Sequence, residues 1–339
     1  MNRVVPRLLF AAACTALIGV VVAGCGSSSS SSSTLVLYSA QHEAMTEALA
    51  QGFEEASGAK VEVRDGEDEE LAAQVEQEGS ASPADVILTE NTPPLESLAE
   101  KGLLAPVDQS TLKQVPAEFS SAEGDWVGVA ARETVMIYNP KLIAASELPQ
   151  SILELSDPQW QGKLAIAPSE PDFVPVVSAI EKLDGKAAAK EWLEGFAANA
   201  KHYNDNEGII AAVDGGQIGA GIVNHYYYFE AVAENGEVAS KLHYFGHEDP
   251  GALVDISGAA APASSHDPEL AQEFLAYITG VEGQEAMTHS GDWQYPLNAG
   301  ATPPPGLVPF AKLDPPKVSP ADLGDGTAPV RLMQEVGLL

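Results

Sequence analysis

The chain is poor in cysteine, in basic residues and in catalytic signatures. Its 339 residues include two cysteines, and 17 Lys and Arg stand against 49 Asp and Glu, which gives a formal net charge of -32. So few basic residues argue against nucleic acid as a partner. No GxSxG nucleophile turn and no HExxH helix occurs in the sequence, which argues against a hydrolytic enzyme. We therefore expect a binding protein and no enzyme.

Long apolar runs are also missing beyond the first 25 residues, and those residues have the pattern of a secretory signal. Arg3 and Arg7 precede an apolar run that ends in Val-Ala-Gly-Cys at Cys25. This ending resembles the bacterial lipobox, so we predict a signal peptide over 1–24 and a lipidated mature N-terminus at Cys25. The serines that follow predict a flexible tether over 25–33. The folded part is then expected at the cell surface or in the periplasm, held to the membrane by the lipid. An uncleaved membrane anchor is the alternative. With Cys25 lipidated, no cysteine pair remains for a disulfide.

Alternating strand and helix patterns predict an α/β fold. The stretch TLVLYSA reads as a buried strand, and Met45, Leu49 and Phe53 follow at helical spacing before Gly58 ends the helix. The same alternation recurs along the chain, which predicts a largely parallel sheet with helices on both faces. The stretch ELAQEFLAYITGVEGQEAM predicts two helices with a break near Gly280 and Gly283.

The folded length exceeds what one hydrophobic core usually serves, so we expect two lobes with a cleft between them. Two long strand segments, near WVGVAARETVMIY and GALVDISGAA, are the predicted crossings between the lobes. The predicted division assigns 34–133 and 252–300 to lobe 1 and 134–251 and 301–339 to lobe 2.

Reactive side chains stand where predicted strands end, which is where doubly wound sheets bind ligands. His42 follows the first strand, Glu90 ends the strand ADVILTE, and Asn224 ends IGAGIVN directly before His225, Tyr226 and Tyr227. Phenolates and a carboxylate suit Fe³⁺, a small and hard cation. Neighbouring tyrosines can share a metal only in a turn or the first turn of a helix. Packing or solvated roles for these residues remain the alternative at this point.

Several motifs resemble the ferric-ion-binding proteins of bacterial ABC importers, a bacterial transferrin-like group of type II solute-binding proteins. The motifs are SGAKVEV, SPADV, DPGALVDISGAA, YPLN and the NxYY core at Asn224, Tyr226 and Tyr227. The resemblance implies a two-lobed type II periplasmic-binding-protein fold, with a mixed sheet flanked by helices in each lobe. It implies Fe³⁺ as the transported ligand, held by His42, Glu90, Tyr226 and Tyr227. It further implies an ABC permease and its ATPase as partners of a monomer.

The chain departs from the resemblance where relatives with a synergistic anion bind phosphate or carbonate. The corresponding run is APSEPDF, in which a proline removes an amide donor and two carboxylates repel an anion. We hypothesise that Glu170 or Asp172 fills the coordination that an anion would otherwise supply. The polar residues of this possible anion or substitute-ligand site are Ser169, Glu170, Asp172, Asn206, Asn224 and Arg132.

Two neighbours of the tyrosine pair are given lesser roles. Tyr228 is expected to pack on the helix, with contact to the metal as the alternative, and His225 is expected to point outward or to support a ligand. A receptor of the same fold for thiamine, a polyamine or a phosphonate is the main alternative function, and a purely adhesive surface protein is another.

Overall fold

A computed structural model of the chain describes residues 33–339. The predicted signal peptide over 1–24, the lipidation site at Cys25 and the tether up to residue 32 lie outside the described residues. Among residues 33–339, no helix is both long and apolar enough to cross a lipid bilayer.

Ten strands form the sheet framework of the described chain. They are β1 (Thr34–Ser39), β2 (Lys60–Asp65), β3 (Val86–Thr89), β4 (Val127–Tyr138), β5 (Leu164–Ile166), β6 (Lys201–His202), β7 (Ala220–Asn224), β8 (Lys241–His243), β9 (Val254–Ala260) and β10 (Tyr295–Pro296).

Strand β4 connects two sheets. Residues 127–133 of β4 pair with β9, whereas residues 134–138 pair with β7. The first sheet has the order β2-β1-β3-β9-β4 with β10 on β4, and the second has the order β4-β7-β5-β6 with β8 on β4. In each sheet the strands of the β-α units run parallel, and β4 pairs antiparallel to its neighbours. Both sheets are therefore mixed, as the family resemblance implies, whereas the alternation of strands and helices alone predicts largely parallel pairing.

Helices cover these sheets. They are α1 (Glu43–Ser57), α2 (Asp68–Glu78), α3 (Pro93–Glu100), α4 (Gln109–Leu112), α5 (Phe173–Asp184), α6 (Lys186–Asn199), α7 (Asn206–Asp214), α8 (His225–Asn235), α9 (Pro268–Thr279), α10 (Val281–His289), α11 (Pro320–Leu323) and α12 (Thr327–Val336).

Local sequence explains several helix boundaries. Gly58 ends α1 in the left-handed conformation with φ of 77°, which a residue without a Cβ adopts at little cost. Asp205 caps the start of α7 and Asp267 caps the start of α9, and in each case the aspartate side chain accepts a backbone N–H of the first turn. Gly280 separates α9 from α10, so the predicted break in that helical segment is confirmed.

Buried apolar side chains gather around each sheet. Around the first sheet, Leu37 of β1 and Leu49 of α1 belong to one core together with Phe274 of α9. Around the second sheet, Ile180 of α5 and Trp192 of α6 belong to another core, which α11 and α12 also join. The segment after β10 packs against the first core through Leu307, Phe310 and Leu313. The lobe boundaries named above remain a prediction.

Candidate metal centre

The predicted donor side chains all lie at junctions between a strand and the following helix. His42 immediately precedes α1, and Glu90 follows β3 directly. The carboxylate of Asp68, at the start of α2, accepts the backbone N–H groups of Glu90 and Asn91 at 2.8 and 2.9 Å. This buried aspartate therefore fixes the loop that presents Glu90.

The two tyrosines occupy the first turn of α8, immediately after β7. Both are almost fully buried, and their ring centroids lie 4.3 Å apart. The ring of His42 lies 5.0 Å from that of Tyr226 and 5.7 Å from that of Tyr227. A helical first turn thus lets adjacent side chains approach one point, as the sequence predicts.

Groups from the two sheets meet around the phenol oxygen of Tyr226. This hydroxyl donates to Glu90 Oε1 at 2.7 Å and lies 3.5 Å from His42 Nε2. His42 Nε2 and Glu90 Oε1 are 3.7 Å apart. Donor atoms at such separations can all contact one small cation at about 2 Å.

Asp172 reaches the same point from the start of α5. Its Oδ2 lies 3.5 Å from the Tyr226 hydroxyl and accepts a hydrogen bond from Asn206 Nδ2 at 3.2 Å. Its Oδ1 lies 3.7 Å from Nε of Arg132. The structure therefore brings a second carboxylate to the predicted site.

Arg132 is a fully buried cation beneath this group of side chains. Its guanidinium also hydrogen-bonds to Asn91 and lies 3.4 Å from Asp255 Oδ2. A buried guanidinium without anionic partners would be costly. Arg132 and the surrounding carboxylates therefore stabilise one another.

Of the remaining residues of the possible anion site, three line a cavity beside Asp172 and one, Ser169, does not. Glu170, Asn206 and Asn224 line a small cavity next to Asp172, whose volume is about 10 Å³. That is about the space of one water molecule, which is less than a phosphate or carbonate needs. Ser169 is exposed, and its hydroxyl donates to the carbonyl of Asn204 at 3.5 Å instead of pointing into this cavity.

The electrostatics of the site favour a bound cation. Burial, together with the charges of Asp172 and Glu90, raises the pKa of Tyr226 well above its usual value, and the same causes act on Tyr227. Burial and the Glu90 charge raise the pKa of Asp172 to about 7, although Arg132 opposes the shift. Burial and the charge of Asp172 raise the pKa of Glu170 to about 8. A cation would relieve this crowding of anionic groups.

Two carboxylates that the sequence analysis missed lie behind His42. Its Nδ1 is 3.4 Å from Asp292 Oδ1 and 3.6 Å from Glu230 Oε1. Burial alone would lower the pKa of His42, but these two carboxylates outweigh it and raise the pKa to about 12. Helical spacing from Tyr226 could have indicated Glu230, whereas Asp292 lies far along the chain in a loop and carries no such signal.

The outward position considered for His225 is wrong. Its imidazole is fully buried, Nδ1 accepts the backbone N–H of Glu133 at 3.1 Å, and Nε2 lies 3.1 Å from the carbonyl of Trp293. Burial lowers the pKa of His225 to about 4, so the neutral ring links β4 to the segment before β10. The expected packing of Tyr228 is confirmed, because its half-buried ring lies against the core beside α8.

The mixed sheets, the strand they share and the donors that meet from both define a two-lobed type II periplasmic binding protein. A model of the bacterial extracellular solute-binding protein family matches residues 48–308, and the chain belongs to that family.

Relatives and a solved structure with iron in their names are similar to most of the chain. The Fe(3+)-binding periplasmic protein of Serratia marcescens is 43% identical over 307 residues, which cover 90% of each sequence. The major ferric iron-binding protein of Neisseria meningitidis serogroup B is 36% identical, with 90% of this chain and 93% of the relative covered. The crystal structure of iron-bound HitA from Pseudomonas aeruginosa is 44% identical, with a TM-score of 0.88 over 90% of this chain and 99% of HitA. The resemblance drawn from the sequence motifs is therefore confirmed.

Proposed function

We propose that the protein is a lipid-anchored receptor that captures Fe³⁺ outside the cytoplasm and delivers it to an ABC permease. One observation carries this proposal: the Tyr226 hydroxyl, from the second sheet, lies 2.7 Å from Glu90 and 3.5 Å from His42, both from the first sheet. His42, Glu90, Tyr226 and Tyr227 are the proposed ligands. Phenolate and carboxylate oxygens suit a hard trivalent ion, and the names of similar proteins point to the same ion.

Asp172 is the proposed further ligand in place of a synergistic anion. Its Oδ2 lies 3.5 Å from the Tyr226 hydroxyl, and the adjacent cavity of about 10 Å³ has room for about one water molecule. A carboxylate built into the chain needs no capture from solution, so iron binding is independent of phosphate and carbonate.

Iron binding is also the proposed trigger for closing the cleft. Two donors follow strands of the first sheet, and the phenols begin a helix of the second sheet. An ion that bonds to both sides binds the closed form more tightly, so it shifts the population towards closure. The permease and its ATPase then receive the closed, loaded form. Protonation of the phenolates or reduction of the iron weakens the bonds between them and releases the iron.

A spectroscopic experiment tests the iron site directly. Ferric citrate added to the purified protein should produce a visible tyrosinate-to-iron absorption band, which Tyr226→Phe and Tyr227→Phe should each weaken or abolish. Tyr228→Phe is the matched control, because Tyr228 lies on the same helix and packs against the core. Wild-type protein without a band would refute the iron site and favour another small ligand such as thiamine, a polyamine or a phosphonate.

The role of Asp172 has its own test. Wild-type affinity for iron, measured by competition with citrate, should be the same with and without phosphate or carbonate. Asp172→Ala opens space beside the phenols and should make the affinity increase when either anion is added. Strong anion dependence of the wild type would exclude the proposed substitution and leave the iron site itself intact.

The membrane anchor is tested at Cys25. In cells of the native host, the wild type should sediment with membranes and incorporate a radiolabelled fatty acid. Cys25→Ser should lose the label and move to the soluble fraction, and a label retained by that variant would refute lipidation at this residue.

A further inference from the structure

The imidazole of His42 lies between two groups of acidic side chains. Its Nε2 faces the candidate metal centre, at 3.5 Å from the Tyr226 hydroxyl and 3.7 Å from Glu90 Oε1. Its Nδ1 faces the opposite way, at 3.4 Å from Asp292 and 3.6 Å from Glu230. The side of the ring that faces away from the candidate metal centre therefore contacts two carboxylates, those of Asp292 and Glu230.

Asp292 is anchored in a way that leaves one oxygen for His42. The side chain is 1% exposed, and its Oδ2 accepts a hydrogen bond from Gln294 Nε2 at 3.2 Å. The same Gln294 amide lies 3.2 Å from Oε1 of Gln41, the residue before His42. The other oxygen of Asp292, Oδ1, has no hydrogen-bond partner among the described residues. A buried carboxylate oxygen of this kind is costly unless a proton or a cation approaches it.

Glu230 approaches the same nitrogen from the other sheet. It lies on α8, one helical turn after Tyr226, and is about one quarter exposed. His42 and Asp292 belong to segments that flank the first sheet, next to β1 and β10. The contact between Glu230 and His42 therefore forms only when α8 approaches the first sheet.

Ring chemistry decides what these carboxylates can do. A neutral imidazole has one lone pair on nitrogen, and when Nε2 binds a metal the remaining proton is on Nδ1. A carboxylate that accepts this proton fixes the tautomer and the ring orientation and makes the ligating nitrogen a stronger base. The three groups could instead hold a second cation, but Nδ1 would then have to lose its proton as well.

We propose that Asp292 and Glu230 are positioning residues for His42, whose carboxylates hold Nδ1–H from behind and aim Nε2 at the iron. Asp292 supplies permanent support from within the same lobe, and Glu230 adds its support on closure, together with the phenols that it follows on α8. This role rests on the proposed iron site.

The test compares iron affinity in four variants. Glu230→Ala and Asp292→Ala should each lower the affinity for Fe³⁺ by about 10- to 100-fold, as for other groups that orient a metal-bound histidine. Glu230→Gln and Asp292→Asn keep an acceptor oxygen and should recover most of that loss. The tyrosinate band should remain in all four variants, because the phenols are unchanged. Its maximum should shift in the alanine variants, because His42 loses a group that orients it. Glu234→Ala is the control, since Glu234 is exposed one turn further along the same helix.

Glu230→Ala distinguishes two hypotheses: that Glu230 positions His42, and that Glu230 binds a second metal ion. Asp292→Ala can disturb its buried surroundings, so the decision rests on Glu230, which is partly exposed. Wild-type affinity in Glu230→Ala, with a normal band, would overturn the positioning role and leave the iron site standing. Two iron ions per wild-type chain, with one lost in Glu230→Ala, would also overturn it in favour of a second metal site. A wild type without any band would overturn both proposals.

Discussion

Binding of ferric iron should release about three protons from the site, because three of the proposed ligands are protonated in the free protein at neutral pH. Burial and nearby carboxylates raise the pKa values of Tyr226 and Tyr227 well above the usual value, and the pKa of His42 is raised to about 12. Each phenol must lose its proton to bind as phenolate, and His42 must lose the proton on Nε2. The proton on Nδ1 remains against the carboxylates behind the ring.

The sign and size of the pH dependence follow from these pKa values. All three groups hold protons in the free state below their raised pKa values and lose them in the bound state, so iron binding strengthens as pH rises. About three protons correspond to a change of about 1000-fold in affinity per pH unit, or ~4 kcal/mol. The pKa of Asp172 is raised to about 7. Below that pH, Asp172 contributes about one further proton and the dependence becomes steeper.

Proton release can be counted directly in weakly buffered solution when ferric citrate is added at fixed pH. Comparison with a variant removes the contribution of citrate. At pH 8, Tyr227→Phe should release about one proton fewer than the wild type. At pH 6, Asp172→Asn should lose the extra proton that the wild type shows there. Equal proton release by the wild type and Tyr227→Phe, with iron bound to both, would refute phenolate ligation by Tyr227.

Three further predictions concern the scaffold, each measured by denaturant unfolding of the iron-free protein. Arg132→Met should lower the free energy of unfolding by ~3–5 kcal/mol, because it leaves buried carboxylates without their cation. Trp192→Ala should cost ~3–5 kcal/mol through the cavity it creates, whereas the exposed neighbour Glu191→Ala should have almost no effect. Gly221→Ala should cost ~1–3 kcal/mol, because a Cβ in β7 would clash with Ile209 of α7. An unfolding free energy unchanged from the wild type would contradict the packing argument in any of the three cases.

Much of the fold could be predicted because local pattern and local structure agree. The strand before His42, the helix that ends at Gly58 and the helix break at Gly280 each follow from residues within a few positions. The strand exits at Glu90 and Asn224 followed from the same alternation, which marked these side chains as candidates, and the resemblance to a known family then implied the donor set. The sharing of β4 between two sheets depends on pairings with distant strands, which local pattern does not specify.

The supporting groups of the site were harder to predict for a related reason. Asp292 lies in a loop before a two-residue strand, and its side chain reaches His42 through tertiary packing alone. His225 sits in a run of aromatic residues that gives no sign of its direction. The ring can be buried because its two nitrogens hydrogen-bond to backbone groups of two other segments. Residues that support a metal-binding side chain, and do not contact the metal themselves, need not lie where a strand ends, so the sequence pattern does not mark them.

Charge balance explains why the proposed centre suits a trivalent ion and needs no exogenous anion. When loaded, the proposed centre contains two phenolates and the carboxylates of Glu90 and Asp172, and the buried guanidinium of Arg132 is shared between Asp172 and Asp255. With five anionic groups against one guanidinium, a trivalent cation leaves about one excess negative charge in this buried place, whereas a divalent cation leaves about two, which is more costly. A phosphate or carbonate beside Asp172 would add further negative charge to the same buried place. In the proposed role, Asp172 supplies a ligand without the further negative charge that an exogenous anion would bring, and reduction to Fe²⁺ would favour release by increasing the excess negative charge.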